Sequence, residues 1–279
     1  MMPRYELIMS NERTERDGRL LITLGFASIG ILFLIYARLG GAAITPDAVS
    51  AIERLGITFY VMLLVSLGAV SYGMYQFHKQ KILKNDGGIT SIIALITWNR
   101  KSRKVFFITF IAYGSFFALT SGILVYQPDV IFSKHYDVIV PSVNITPCCG
   151  EVGYVPKFIA YITEHVGLQI IPINLILQII VSYLVGLNMS IAVNAFSILK
   201  KGSSVGSIAA ITGLFIACPT CAGTFLSLFV SVSGAVAFTL AVTQLQTIFI
   251  VITIPLLIIT PIIMARKIKN SGWSCKVEF

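Results

Sequence analysis

Cys218 and Cys221 flank Pro219 and Thr220 inside an apolar run, Ser204 to Val232, that contains no charged residue. On a helix this spacing brings two thiols to one face, close enough to share a disulfide or a soft metal ion. Pro219 disrupts a continuing helix but suits the first position of a new one, where its missing N–H is not needed. Cys218 is then expected to cap a half-helix. Unpaired backbone N–H groups and the positive end of the helix dipole would stabilise its thiolate. The plainer account treats the cysteines as small apolar residues and the proline as an ordinary kink. Spacing, proline and membrane depth together favour paired, chemically active thiols.

A second pair stands in Pro147-Cys148-Cys149-Gly150-Glu151, and Cys275 is left over near the C-terminus without a role. Adjacent cysteines rarely bond each other, because the small ring strains both the peptide and the disulfide dihedral. A vicinal pair therefore points to exchange with a distant thiol or to soft-metal capture. His135 and His165 lie in the same segment and are candidate metal ligands alongside Cys148, Cys149, Cys218 and Cys221; solvated histidine is the plain alternative.

The elements that must position these residues are read from composition. Of 279 residues, 56% are hydrophobic and only 12% charged, with a mean hydropathy of +0.86. A soluble domain carries roughly twice that charged fraction. The expected fold is an all-α polytopic transmembrane bundle of six spans: Leu20–Ala37, Ile57–Phe77, Val105–Tyr126, Leu168–Leu199, Ser204–Val232 and Leu240–Ala265. Each is long enough to cross a hydrocarbon core of about 30 Å. Residues 1–19 form a polar N-terminal segment, 20–126 the first three spans, 127–167 a loop, 168–265 the last three spans and 266–279 a tail. Within the first block, Ile89–Trp98 is apolar but too short to cross. Followed by Arg100, Lys101, Arg103 and Lys104, it is expected to be an interfacial helix. The loop holds Pro128, Pro141, Pro147 and Pro156, so irregular turns are expected there.

Charge placement orients the bundle. Of 21 lysines and arginines, 17 fall in residues 1–19, 78–104, 199–203 and 265–279, whereas acidic residues divide evenly between the two sides. The positive-inside rule then makes both termini cytoplasmic and the 127–167 loop external, in a plasma membrane. The net charge of +9 thus records topology and attraction to the lipid bilayer, not a nucleic-acid partner. No Walker motif, nucleophile elbow or dinucleotide fingerprint is present.

One further pattern lies in the fourth span. Asn174, Gln178, Ser182, Gly186, Ser190 and Asn194 recur every four residues. Small and polar residues at that spacing face protein in a bilayer, and helix packing is the expected role. Depth then links the cysteine pairs. Cys218 stands 14 residues beyond Ser204, roughly 21 Å along a helix from the cytoplasmic boundary, which is the outer half of the membrane.

Three functions fit. The first is an integral membrane thiol–disulfide oxidoreductase or electron relay, with Cys218 as the reactive thiol, Cys221 resolving and Cys148/Cys149 exchanging with an external thiol protein. Cys218-Pro219-Thr220-Cys221 looks like the redox loop of glutaredoxins. The layout of the two pairs is similar to that of the DsbB and vitamin K epoxide reductase families, which join a membrane CxxC to a loop cysteine pair. That resemblance, confined to the two pairs, implies a quinone acceptor; those families have four-helix cores and loop pairs that are not adjacent. The second function is a carrier or chaperone for a soft metal such as copper, zinc or mercury. Mercuric-transport proteins are similar in combining a vicinal membrane cysteine pair with a second pair. The third is a non-catalytic subunit of a larger membrane complex, its cysteines structural.

Overall fold

A computed structural model of the chain describes residues 4–39, 49–84, 86–146, 153–199, 253–266 and 269. Helices dominate. Four of them are long and apolar enough to cross a membrane: α1 (Arg4–Leu39), α2 (Val49–Lys84), α4 (Arg100–Thr120) and α6 (Pro172–Leu199). Between α2 and α4 lies α3 (Ile89–Trp98), and a further apolar helix, α7, covers Thr253–Arg266. Uninterrupted helix is what lipid demands, since hydrocarbon offers the backbone no hydrogen-bond partner. Leu34, Val65, Ile108 and Ile111 are each more than 60% exposed. Such a surface is costly in water but ordinary against lipid tails. The protein is membrane-associated through these helices. The expected fifth span lies outside the described residues, and of the sixth only the part in α7 is described.

The expected all-α class needs a small correction. The segment read as irregular turns holds a four-stranded antiparallel sheet: β1 (Leu124–Tyr126), β2 (Ser142–Thr146), β3 (Lys157–Tyr161) and β4 (Val166–Ile170), in the order β1-β4-β3-β2. A single turn of helix, α5 (Phe132–His135), follows β1. Valine, isoleucine, phenylalanine and tyrosine in short runs favour pleated structure. The prolines sit beside the strands, with Pro141 just before β2 and Pro156 just before β3, where no ladder N–H is lost. Two expected spans shorten accordingly. The third ends at Thr120, because Gly122 turns the chain at φ +72° and Leu124–Tyr126 becomes β1. The fourth starts at Pro172, whose ring suits the first helical position, and its apolar lead-in is β4.

The chain divides into two units, residues 1–83 with 116–178 and residues 84–115 with 179–279. In the first, α1 and α2 run antiparallel with glycines at the crossing. A Cβ on Gly73 would lie 2.9 Å from the Gly18 carbonyl oxygen, and one on Gly25 would lie 2.5 Å from a Val70 methyl. Ser28 and Ser66 share a hydrogen bond of 3.0 Å nearby. Helices in lipid gain little from burying apolar surface, so close approach and interhelical hydrogen bonds must hold them together. At the far end of this pair Phe59, 2% exposed, meets Phe33 and Tyr36 edge to face.

In the second unit α3 is largely buried. Ile93 and Ile96 join Leu187 and Ile191 of α6 and Ala265 of α7 in one core. A second core joins Val181 and Leu184 to Ile254 and Leu257, with Tyr113 of α4 against it. Rising numbers on α6 thus meet rising numbers on α7, so these helices run parallel, whereas α4 runs antiparallel to α6. The four-residue stripe packs against protein where it is described. Ser182 and Ser190 are at most 1% exposed, Gly186 faces Phe106, and in the first unit Asn174 donates to the Ser121 carbonyl at 3.4 Å. A residue off the stripe makes the bond between α6 and α7: Asn188 donates its amide to the Leu257 carbonyl at 2.8 Å.

Candidate functional site

All five cysteines lie outside the described residues, among them Cys218, Cys221, Cys148 and Cys149. What can be built upward is the frame that holds the Cys148–Cys149 segment. Strand β2 pairs with β3 from Ser142↔Tyr161 to Thr146↔Lys157, and β3 pairs with β4 from Tyr161↔Gly167 to Phe158↔Ile170. Ile170 is separated from α6 by one residue. Thr146, Lys157 and Ile170 therefore share one end of the sheet, the end that joins the helices. The Cys148–Cys149 segment leaves from that end, two residues after Thr146.

Side chains of the first unit fix this end to the helices. The Tyr60 hydroxyl of α2 lies 2.7 Å from both the Pro156 and the Ile170 carbonyl oxygens. A phenol has one proton and both acceptors are carbonyls, so a single donor clamps the start of β3 and the end of β4. The Tyr60 ring also meets Phe158 edge to face at 6.0 Å. Gly56, one turn earlier on α2, lies against Ile145 and Pro156; a Cβ there would come 2.9 Å from an Ile145 methyl. On the other flank, the Ile173 N–H of α6 donates to the Gly153 carbonyl at 3.1 Å. Gly153 has a φ of +94°, a conformation that side chains disfavour, and a Cβ there would touch Ile173 and Phe33. Both flanks of the vicinal pair are thus tied to membrane-type helices.

The two histidines belong to the opposite end. His165 immediately precedes Val166, which pairs with Tyr126 at the outer limit of the sheet. Its Nδ1 lies 3.0 Å from the Val130 carbonyl and 3.2 Å from that of Gln127. Carbonyls only accept, so this nitrogen carries a proton and fastens the turn. His135 packs edge to face on Tyr136 at 4.7 Å, and Tyr136 meets the rings of Phe132 and Tyr161 at a tilt. Glu164 holds this end together: its carboxylate accepts from the Ser133 N–H at 3.1 Å. That bond, helped by nearby His165 and Lys134, keeps the carboxyl below its ordinary range. Four strand steps, about 13 Å, separate Ser142 from Thr146, whereas Cys148 is two chain steps from Thr146, at most about 7 Å. Among the described residues no group of three or more His, Cys, Asp or Glu side chains is arranged to hold a metal ion.

Sequence reasoning missed Tyr60, Gly56 and Gly153. Tyr60 had a faint signal, a polar-tipped aromatic within an apolar span. Gly153 stands in a Cys-Cys-Gly-Glu-Val-Gly stretch, a turn signal without an address. Comparison with family models, with curated proteins and with solved structures found no match.

Proposed function

We propose that the protein is an integral membrane thiol–disulfide oxidoreductase or electron relay that joins the Cys148–Cys149 pair to the Cys218–Cys221 pair. One observation carries this reading. Both flanks of Cys148–Cys149 are fastened at the helix end of the sheet, by Tyr60 and Gly56 of α2 and by Ile173 of α6. A tether so close to the spans favours exchange with thiols in the outer half of the membrane over reach into bulk solvent. In each exchange a thiolate attacks one sulfur of a disulfide, a new S–S bond forms and the other sulfur leaves as thiolate. One dithiol is oxidised as one disulfide is reduced, so electrons pass from an external thiol protein to Cys218–Cys221 without any further reactant in the step. A quinone as final acceptor follows from the resemblance alone.

The six-span arrangement with cytoplasmic termini belongs to the same proposal. The parallel run of α6 and α7 supports it, since a chain that leaves one helix and begins the next in the same direction must recross an odd number of times. The α1–α2 pair supports it too, bringing Arg16 and Arg19 to the end that carries Lys79, Lys81 and Lys84. That end is opposite the sheet.

The test uses the cysteines themselves. With the site reduced, Cys218 should alkylate faster than Cys221, and Cys221→Ser should accumulate a mixed disulfide at Cys218. Pro219→Ala should shrink the difference in rate. Bound copper, zinc or mercury lost equally in Cys218→Ser and Cys221→Ser, with no mixed disulfide, would replace this reading by the soft-metal carrier. Thiols with neither adduct nor metal would leave a structural subunit of a membrane complex.

A further inference from the structure

The first turn of α4 carries Arg100, Lys101, Arg103 and Lys104, all exposed, and no acidic residue. None of the four side chains is paired among the described residues. Cations at the start of a helix oppose its dipole, so the local backbone does not stabilise them either. Ser102, between them, is 1% exposed and fixes which side of the turn faces protein. At about 100° per residue, the four cations fan over roughly 160° of the opposite side. That spread spans the width of a helix, about 10 Å, too wide for one small anion to touch them all.

The continuation of the same side identifies the occupant. Phe107, Ile108 and Ile111 are 54%, 68% and 63% exposed and fall within the same arc one to two turns further on. Charge thus gives way along one surface to bare hydrocarbon, the profile of a bilayer from headgroup to acyl chain. The short helix before this turn does not supply that surface, since Ile93–Ile96 of α3 are buried against α6 and α7. We propose that the outward side of the first turn of α4 binds the phosphate headgroups of anionic phospholipids in the bilayer that α4 crosses. The inference is independent of the thiol chemistry.

The full chain, purified from vesicles of equal phosphatidylcholine and phosphatidylglycerol, is assayed by mass spectrometry for retained lipid. The wild type should be enriched in phosphatidylglycerol. R100Q/K101Q and R103Q/K104Q should each lose enrichment, by about fivefold per removed cation. K134Q/K157Q, on the sheet, is the control and should keep it. Added salt should erode the wild-type enrichment, a readout that needs no variant. Absence of enrichment in the wild type, or equal loss in the control pair, would overturn the proposal. Displacement by inorganic phosphate beyond the effect of matched ionic strength would also overturn it, and would mark a small-anion site.

Discussion

Placing a side chain on Gly186 tests the packing of α6 most directly. An ideal Cβ there would lie 3.1 Å from Cδ2 and from the carbonyl oxygen of Phe106, and 3.2 Å from Cε2. The ring can swing by a few tenths of an ångström, but the carbonyl belongs to the backbone of α4 and cannot. Gly186→Ala would gain about 1 kcal/mol of helix propensity and lose about 1–3 kcal/mol to overpacking. The expected net is destabilisation by about 0–2 kcal/mol. Gly186→Leu forces three more carbons into the same gap and should reach at least about 3 kcal/mol, enough to lower folded yield. Ile180→Leu conserves volume and should cost less than about 1.5 kcal/mol. Thermal unfolding in detergent, with recovery of monodisperse protein, ranks the three. Phe106→Ala removes the ring but not the carbonyl, so combining it with Gly186→Ala should be less harmful than the sum of the singles, with a coupling of about 0.5–3 kcal/mol. If Gly186→Leu unfolds with Ile180→Leu, the close approach does not hold these helices.

Three other perturbations probe the frame around the cysteine segment. Tyr60→Phe removes the donor shared by the Pro156 and Ile170 carbonyls and should cost about 1–3 kcal/mol, seen as faster amide exchange in β3 and β4 with little change in α6. Gly153→Ala forces a side chain into a left-handed backbone and should cost about 1–2 kcal/mol; exchange of the Ile173 amide should rise first. Glu164 has a folded pKa depressed chiefly by the Ser133 N–H, so its contribution is present above the ordinary carboxyl value of 4.5 and fades as pH falls below it. The protection of the Ser133 amide, taken relative to its intrinsic exchange rate at each pH, should fall through that acid window in the wild type and stay flat in Glu164→Gln; a fall retained in the variant would assign the effect elsewhere.

Four of the expected spans were legible because hydrocarbon imposes one rule along twenty residues. The paired strands were not, because Leu124–Tyr126 and Val166–Ile170 adjoin helices and continue their apolar runs, and only pairing decides between the two: Leu124 finds its partner in Leu168, and β4 also needs β3 on its other side. Hydropathy thus extended two spans by a few residues each. The packing of Asn174, Ser182, Gly186 and Ser190 was readable from spacing alone, yet Asn188 escaped it, since its bond to Leu257 depends on a helix that sequence does not bring near. For the candidate site, residue types could be read from the sequence and their address could not. A vicinal cysteine pair suggests thiol chemistry by type alone, whereas the end of the sheet at which β2 finishes follows from register and not from composition.

The pairing of β1 with β4 has a consequence for how such a protein can change. These are the first and last strands of the segment, and Leu124 stands opposite Leu168, so its two ends lie about 5 Å apart. The whole segment is a cassette inserted at one point between α4 and α6. It can be lengthened, shortened or exchanged for another small domain with neighbouring termini while the two helices keep their places. Bundles of this kind can therefore carry quite different modules at this one point between α4 and α6.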